Sequence, residues 1–228
     1  IPKPLVPIGD RPIIWHLMKY YAHYGHKDFI LCLGYRGDLL KEYFLNYNEC
    51  ASNDFVLSEG GNKIELFNED ISTWRITFVD TGLNASIGQR LRAVRKHVDS
   101  DEVFMANYAD GLSDLDLDEY LEFFHRQNKT ACFASVRPQQ TFHYVVAGED
   151  GLVQSLQPIG LGALQVNGGF FVFRPNIFDY IQEGEDLVEE AQTTIQRLEE
   201  SVLLVGNDLV DEVPPGHQVG IHIPHFAD

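Results

Sequence analysis

In the stretch Phe104–Tyr120, FMANYADGLSDLDLDEY, an apolar run stops at Asp110, and more acids follow at Asp114, Asp116, Asp118 and Glu119. Three chemistries are open to such a pattern: a solvated acidic loop, a calcium loop, or a strand that delivers one carboxylate to a metal-bound phosphate. An EF-hand loop needs Gly at its sixth position and Glu at its twelfth. Counted from Asp114, those positions hold Glu119 and His125, so that calcium reading is excluded. Asp114 or Asp116 instead reads as a cap for a following helix, whose positive end favours a negative charge. Asp110 differs by position. It ends an apolar strand, and in open parallel sheets ligands bind outside the carboxyl ends of strands. Gly111 permits a sharp exit there. A carboxylate so placed can hold Mg²⁺, which keeps several waters and is completed by substrate phosphates. The competing reading is a turn cap.

Two cationic candidates accompany it. Pro2 and Pro4 bracket Lys3 and bias it toward extended backbone, so its ammonium is aimed by a stiff segment. The plain alternative is a solvated surface lysine. Arg90 lies in NASIGQRLRAV, where Gly88 sits at the start of a helix and free backbone N–H groups attract anions. Arg92 and Arg95 extend this into a small basic patch, or simply form the wet face of the helix. In NGGFF the pair Gly168–Gly169 points to close approach of a ligand or another backbone, with a structural bulge as the equal alternative. His222, His225 and Asp228 make a poor metal set in a Pro-containing terminal stretch. No G-x-G-x-x-G, Walker or G-x-S-x-G sequence occurs, so dinucleotide, P-loop and acyl-hydrolase readings lack support.

The elements that must position these groups alternate. Ile13, Ile14, Leu17, Met18 and Tyr21 follow helical spacing, with Asp10 as expected cap, Pro12 in the first turn and Gly25 as stop. DFILCLG is a short apolar strand, and Leu39, Leu40, Tyr43, Phe44 and Tyr47 mark a second helix. FVLS, KIELF and WRITFVDT read as strands around a hairpin insertion. A helix over 88–98, a strand over 102–108, a helix over 117–127 and a strand over 130–136 continue the rhythm. VQSLQ and LQVNGGFFVFRP read as later strands, and Pro175 opens a helix toward Tyr180. Strand and helix in alternation predict an α/β domain with a mostly parallel sheet, covered by helices on both faces, over residues 1–182. Residues 183–228 form an acidic segment, read as a peripheral helix and loop.

The 228 residues are ordinary for a globular domain: 44% hydrophobic and 12% aromatic. Thirty-four acids against seventeen Lys and Arg give a net charge of −17, which repels nucleic acid and anionic membranes. Cys32, Cys50 and Cys132 form no metal-type pair, and no apolar run approaches a membrane span, so the expected compartment is the reducing cytosol.

Taken in order, PKPLVPIGDRPIIWHLMKYYAHYG, DFILCLGYRG, LKEYFLNY, VDTG, YADGLSDLDL and VNGGFFVFRP resemble the sugar-1-phosphate nucleotidyltransferase family, and within it the cytidylyltransferase branch. The resemblance covers residues 2–180. It implies a Rossmann-like nucleotide-diphospho-sugar transferase fold. It also implies transfer of a nucleotidyl group from a nucleoside triphosphate to a hexose 1-phosphate, with Mg²⁺, in a cytoplasmic homo-oligomer. It assigns Lys3 to the phosphates, Asp110 to the metal, Arg90 and Gly88 to the nucleotide, and Asn167, Gly168 and Gly169 to the sugar. Three family features have no counterpart: the first strand with its glycine-rich loop, expected to precede Ile1; the lysine of Glu-Lys-Pro, replaced in Leu156-Gln157-Pro158; and the second metal aspartate of a Trp-x-x-Met-Asp-Thr segment. These departures keep open a second expectation, a catalytically inactive nucleotide- or sugar-phosphate-binding regulator on the same fold.

Overall fold

The computed structural model describes residues 1–137, 142–159 and 165–182 and the strand 202–205. Its elements, in chain order, are β1 (Pro7–Ile8), β2 (Arg11–Pro12), α1 (Ile13–His23), β3 (Asp28–Leu33), α2 (Gly37–Leu45), β4 (Phe55–Ser58), β5 (Lys63–Leu66) and β6 (Arg75–Asp80). Then come α3 (Ile87–Val94), β7 (Phe104–Ala106), α4 (Leu117–Gln127), β8 (Ala131–Val136), β9 (His143–Ala147), β10 (Val153–Pro158), β11 (Val166–Phe173) and β12 (Val202–Val205).

The helices follow from their spacing. α1 buries Ile14, Leu17, Met18 and Tyr21, one 3.6-residue stripe. Asp10 does not cap it. Residues 7–12 instead close a tiny antiparallel hairpin, and Pro12 is the residue before the first turn, where an extended φ/ψ suits proline. In α4, Asp116 caps the start by accepting the Glu119 N–H at 3.1 Å. Acids occupy its first turn and His125 and Arg126 its last, complementing the helix dipole. The expected helix after Pro175 is a 3-10 turn over Pro175–Asp179.

β3 and β6 pair in parallel, Asp28 opposite Arg75 through Leu33 opposite Asp80. β4 and β5 form the hairpin insertion, and the WRITFVDT strand leaves it to join β3. The larger sheet has the order β12-β8-β11-β7. β12 is parallel to β8, whereas β11 is antiparallel to both β8 and β7. The fold is thus the α/β type expected. The acidic stretch after residue 182 supplies one strand of its sheet, and β9, paired with β10, is a strand the sequence reading did not mark. No helix among the described residues is long and apolar enough to cross a membrane.

β11 is the spine of the core because it is buried on both faces, as its unbroken apolar run FFVF requires. Phe170 and Val172 face Leu17, Met18 and Tyr21 of α1 and Leu117, Tyr120 and Phe124 of α4. Phe171 and Phe173 face Leu91, Val98, Ile177 and Phe178 on the other side. Each fully buried side chain of this kind contributes about 1.5–3 kcal/mol.

A second, polar anchor was not legible in the sequence. Arg11, 5% exposed, donates from Nε to Ser52 Oγ at 2.9 Å and from Nη2 to the Asn48 carbonyl at 2.7 Å, and stacks over Tyr47. Asp70 balances its charge at 3.7 Å and accepts from Lys19, Tyr47, Ser52 and Asn53. This network pins the start of the hairpin insertion and the approach to β6 against α1 and α2. Burial pushes the Asp70 pKa up, but hydrogen bonds from Ser52, Lys19 and Tyr47 and the Lys19 charge outweigh it and hold the group below its usual value. A depressed carboxylate stabilises the fold above its unfolded pKa of about 4 and stops doing so as pH falls through the folded value. Asp70→Ala, which leaves the Arg11 charge uncompensated, is expected to cost about 3–5 kcal/mol at pH 7. The difference from wild type should shrink as pH falls below the unfolded value, as read from urea denaturation at pH 7 and across the acid range.

Candidate active site

Lys3 and Asp110 meet. Lys3 stands in a 3-10 turn over Lys3–Leu5, not in the extended segment expected from its flanking prolines, and the Leu5 and Val6 amides bond back to the carbonyls of Pro2 and Lys3. From that turn its Nζ reaches Asp110 Oδ2 at 2.6 Å. The hydrogen bond to Asp110, and then the carboxylate's charge, raise the Lys3 pKa above the ordinary lysine value, against slight desolvation. Asp110 sits in the turn just past β7, as the sequence reading required, and its side chain is 28% exposed. A carboxylate that is partly exposed and already faces a cation is chemically suited to a divalent ion. Among the described residues no group of three or more His, Cys, Asp or Glu side chains is arranged to hold a metal, so Asp110 would act with ligand oxygens and water.

The N-G-G turn lies against the same end of β7. Because β11 runs antiparallel to β7, with Phe171 opposite Ala106, the start of β11 lies beside the chain that leaves β7. Asn167 donates from Nδ2 to the Tyr108 hydroxyl at 3.0 Å and accepts the Gly169 N–H at 2.9 Å. Gly169 has φ +81°, and a Cβ there would sit 2.4 Å from Asn107 Oδ1. A Cβ on Gly168 would lie 3.1 Å from Val136 Cγ1 and 3.3 Å from the Ala134 carbonyl. The register of β11 against β8 shifts on either side of Gly169. The two glycines therefore do serve a bulge and a close approach of backbone, and the exposed Asn167 heads that bulge.

Arg90 and Gly88 belong to a different neighbourhood, the carboxyl ends of β3 and β6. Arg90 donates from Nη1 to Thr81 Oγ1 at 2.6 Å and to the Leu33 carbonyl at 3.2 Å, and from Nη2 to the Leu83 carbonyl at 3.4 Å. Its guanidinium packs so close to Gly34 that a Cβ there would meet Nη2 at 2.7 Å. The arginine is a brace across the two strand ends. Gly88 is buried in the first turn of α3, whose start is closed by a capping box: Ser86 Oγ accepts from Gln89, and Gln89 Oε1 accepts from Ser86. Arg92 holds the Ile181 carbonyl at 2.6 Å and Arg95 pairs with Asp99, so neither faces Asp110. A cavity of about 640 Å³ opens instead beside the hairpin insertion, lined by Asp10, Ser52, Asn53, Asp54, Phe55 and Phe67, and none of the candidate residues borders it. The His222, His225 and Asp228 set lies outside the described residues.

The chain is similar to known proteins in sequence and in fold. Over 182 residues the chain is 41% identical to the glucose-1-phosphate cytidylyltransferase of Salmonella typhi, a match spanning 79% of this chain and 70% of that protein. It is 22% identical over 230 residues to the mannose-1-phosphate guanyltransferase of Pichia angusta, spanning 98% of this chain and 56% of that one. The fold superposes on HddC from Yersinia pseudotuberculosis with a TM-score of 0.60 at 18% identity, covering 90% of this chain and 81% of that one. An apo UDP-glucose pyrophosphorylase gives 0.59 at 13% identity, covering 90% and 82%. The NTP_transferase profile, described as nucleotidyl transferase, matches residues 1–211. With the strand-end carboxylate, the N-G-G turn and that profile running through all the described residues, the chain belongs to the nucleotidyl transferase family.

Proposed function

We propose that the protein transfers a cytidylyl group from CTP to glucose 1-phosphate, releasing pyrophosphate and giving a nucleotide sugar for polysaccharide assembly. The observation that carries this reading is the Lys3–Asp110 pair at the end of β7, beside the N-G-G turn. An oxygen of the sugar phosphate attacks the α-phosphorus of the nucleotide. The new P–O bond forms as the bond from that phosphorus to the bridging oxygen breaks, and pyrophosphate leaves with the electron pair. No covalent enzyme intermediate is needed, so rate comes from placement and charge neutralisation. In this reading Lys3 turns from Asp110 to the phosphates as they arrive. Asp110 then serves as the anchor for Mg²⁺, which when bound offsets phosphate charge. Arg90 acts on the nucleotide by fixing the loop after β6, Gly88 lets the first turn of α3 lie close to it, and Asn167, Gly168 and Gly169 shape the sugar pocket.

The same reading puts the protein in the cytosol, where nucleotides and sugar phosphates are available. It also makes it a homo-oligomer, supported by the apolar side chains that two hairpins leave exposed: Leu57, Ile64 and Phe67 on one, Val145, Val153 and Leu156 on the other. One observation favours a non-catalytic binding protein instead. Gln157 stands where the family carries a lysine, and its Oε1 accepts the Tyr144 hydroxyl at 2.7 Å, so it offers no cation to a sugar phosphate.

Pyrophosphate release with glucose 1-phosphate and Mg²⁺, assayed across CTP, UTP, dTTP and GTP, should be fastest with CTP. Nucleotide binding without turnover on any of the four would favour the regulator. Asp110→Asn is expected to keep its melting temperature and lose at least about a thousandfold in kcat. Activity like that of wild type would remove the metal role. Arg90→Lys replaces a planar fork with a point charge and should cost about 1–3 kcal/mol of stability, with a matching fall in CTP affinity, checked by thermal unfolding and calorimetry.

A further inference from the structure

Asn107 belongs to no motif read from the sequence, yet the two halves of the candidate site are tied together at its side chain. Its Oδ1 accepts the Tyr108 N–H at 2.9 Å, which curls the chain as it leaves β7 toward Asp110. The same oxygen accepts the Phe170 N–H at 3.0 Å, across the strand pair in the bulge of β11. One acceptor thus bonds two backbone amides 62 positions apart, one leading into the Asp110 turn and the other leaving the N-G-G turn.

The surroundings show that the spacing is tightly set. Only glycine fits at 169, because a Cβ would lie 2.4 Å from Asn107 Oδ1 and 3.1 Å from Tyr108 Cδ2. Phe170 has φ +50°, a left-handed conformation that costs a non-glycine residue about 1–2 kcal/mol. That strain persists because its N–H is held by Asn107 and its carbonyl by the Tyr120 hydroxyl at 2.8 Å. The two clamps differ in what they join. Tyr120 ties the bulge to α4 in the core, whereas Asn107 ties its backbone to the strand that carries Asp110, beside the Asn167 side-chain bond to the Tyr108 hydroxyl. Asn107 Nδ2, by contrast, is buried without a hydrogen bond of ordinary length and faces the Tyr21 hydroxyl of α1. The oxygen is thus the well-bonded end of this amide.

We infer that Asn107 is a positioning residue for nucleotidyl transfer. It fixes the distance between the Asp110 turn, toward the nucleotide's phosphates, and the N-G-G turn, toward the sugar phosphate, and so sets the approach of the attacking oxygen to the α-phosphorus. The inference rests on the function proposed above. In-line attack needs the reacting atoms near contact, and a displacement of about 1 Å at such a site costs about a hundredfold in rate.

The test compares Asn107→Leu, which keeps the volume and removes the acceptor, with Tyr120→Phe, which loosens the same bulge from the core side only. Asn107→Ser, too short to reach the Phe170 amide, serves as a second variant should the leucine protein not fold. The expected result is a fall of about a hundredfold in kcat for the Asn107 variants, with the CTP dissociation constant, measured without sugar phosphate, changed less than about threefold. Tyr120→Phe should match or exceed their loss of melting temperature while losing only a few-fold in kcat. Unchanged kcat in the Asn107 variants would overturn the inference, as would an equal loss in Tyr120→Phe at the same melting temperature. A wild-type protein that turns over no nucleotide and sugar 1-phosphate pair would overturn the proposed function itself, and the positioning role with it.

Discussion

Asp110 and the N-G-G turn can share one end of the sheet only because β11 runs against its neighbours. β7 and β8 point the same way, and β11 lies between them, antiparallel to both. The beginning of β11 therefore meets the ends of β7 and β8, and the chain that exits β7 comes to lie against the chain that enters β11. Had β11 run parallel, its first residues would stand at the far edge of the sheet. The burial of β11 on both faces secures this arrangement. Phe170 and Val172 lock it to α1 and α4, and Phe171 and Phe173 lock it to the opposite layer, so neither a register slip nor a reversal leaves the core filled.

Electrostatics must then work against the sign of the whole molecule. A chain of net charge −17 that takes polyanionic substrates needs local cations where phosphates arrive. The structure divides its positive charges by job. Arg11 and Arg90 are held by carbonyls, hydroxyls and a carboxylate of their own chain, where they fasten the hairpin insertion and the ends of β3 and β6. Arg92 and Arg95 secure Ile181 and Asp99. Lys3 is different: among the described residues its ion-pair partner is Asp110, and its side chain is 79% exposed.

The alternation of elements was legible in the sequence because each helix carried one apolar stripe and each inner strand an apolar run. Asp110 was legible for the same reason, as the first charge after such a run. What could not be read were features that depend on partners far along the chain. Asp10 looked like a cap because it precedes a helical pattern, but the hairpin with β2 took that position. The Arg11–Asp70 network joins residues 59 positions apart through an insertion whose place against α1 no local pattern encodes. The basic stretch near Arg90 read as an anion site or a wet helix face; Arg90 and Arg92 are engaged by oxygens that only the packed chain brings to them, and Arg95 pairs with Asp99. Asn107 was hidden inside an apolar strand. The one trace it left was indirect, a glycine pair 62 positions later with no room for a side chain beside it.

The exposure of the Lys3–Asp110 contact has a consequence for how readily the site opens. An ion pair whose lysine lies in water and whose carboxylate is partly exposed is held only weakly, because solvent competes for both partners. The lysine therefore keeps the carboxylate company without latching it, and an incoming ligand meets a seat that is already taken but costs little to vacate. A pair built this way neutralises the acid and exchanges partners at small cost.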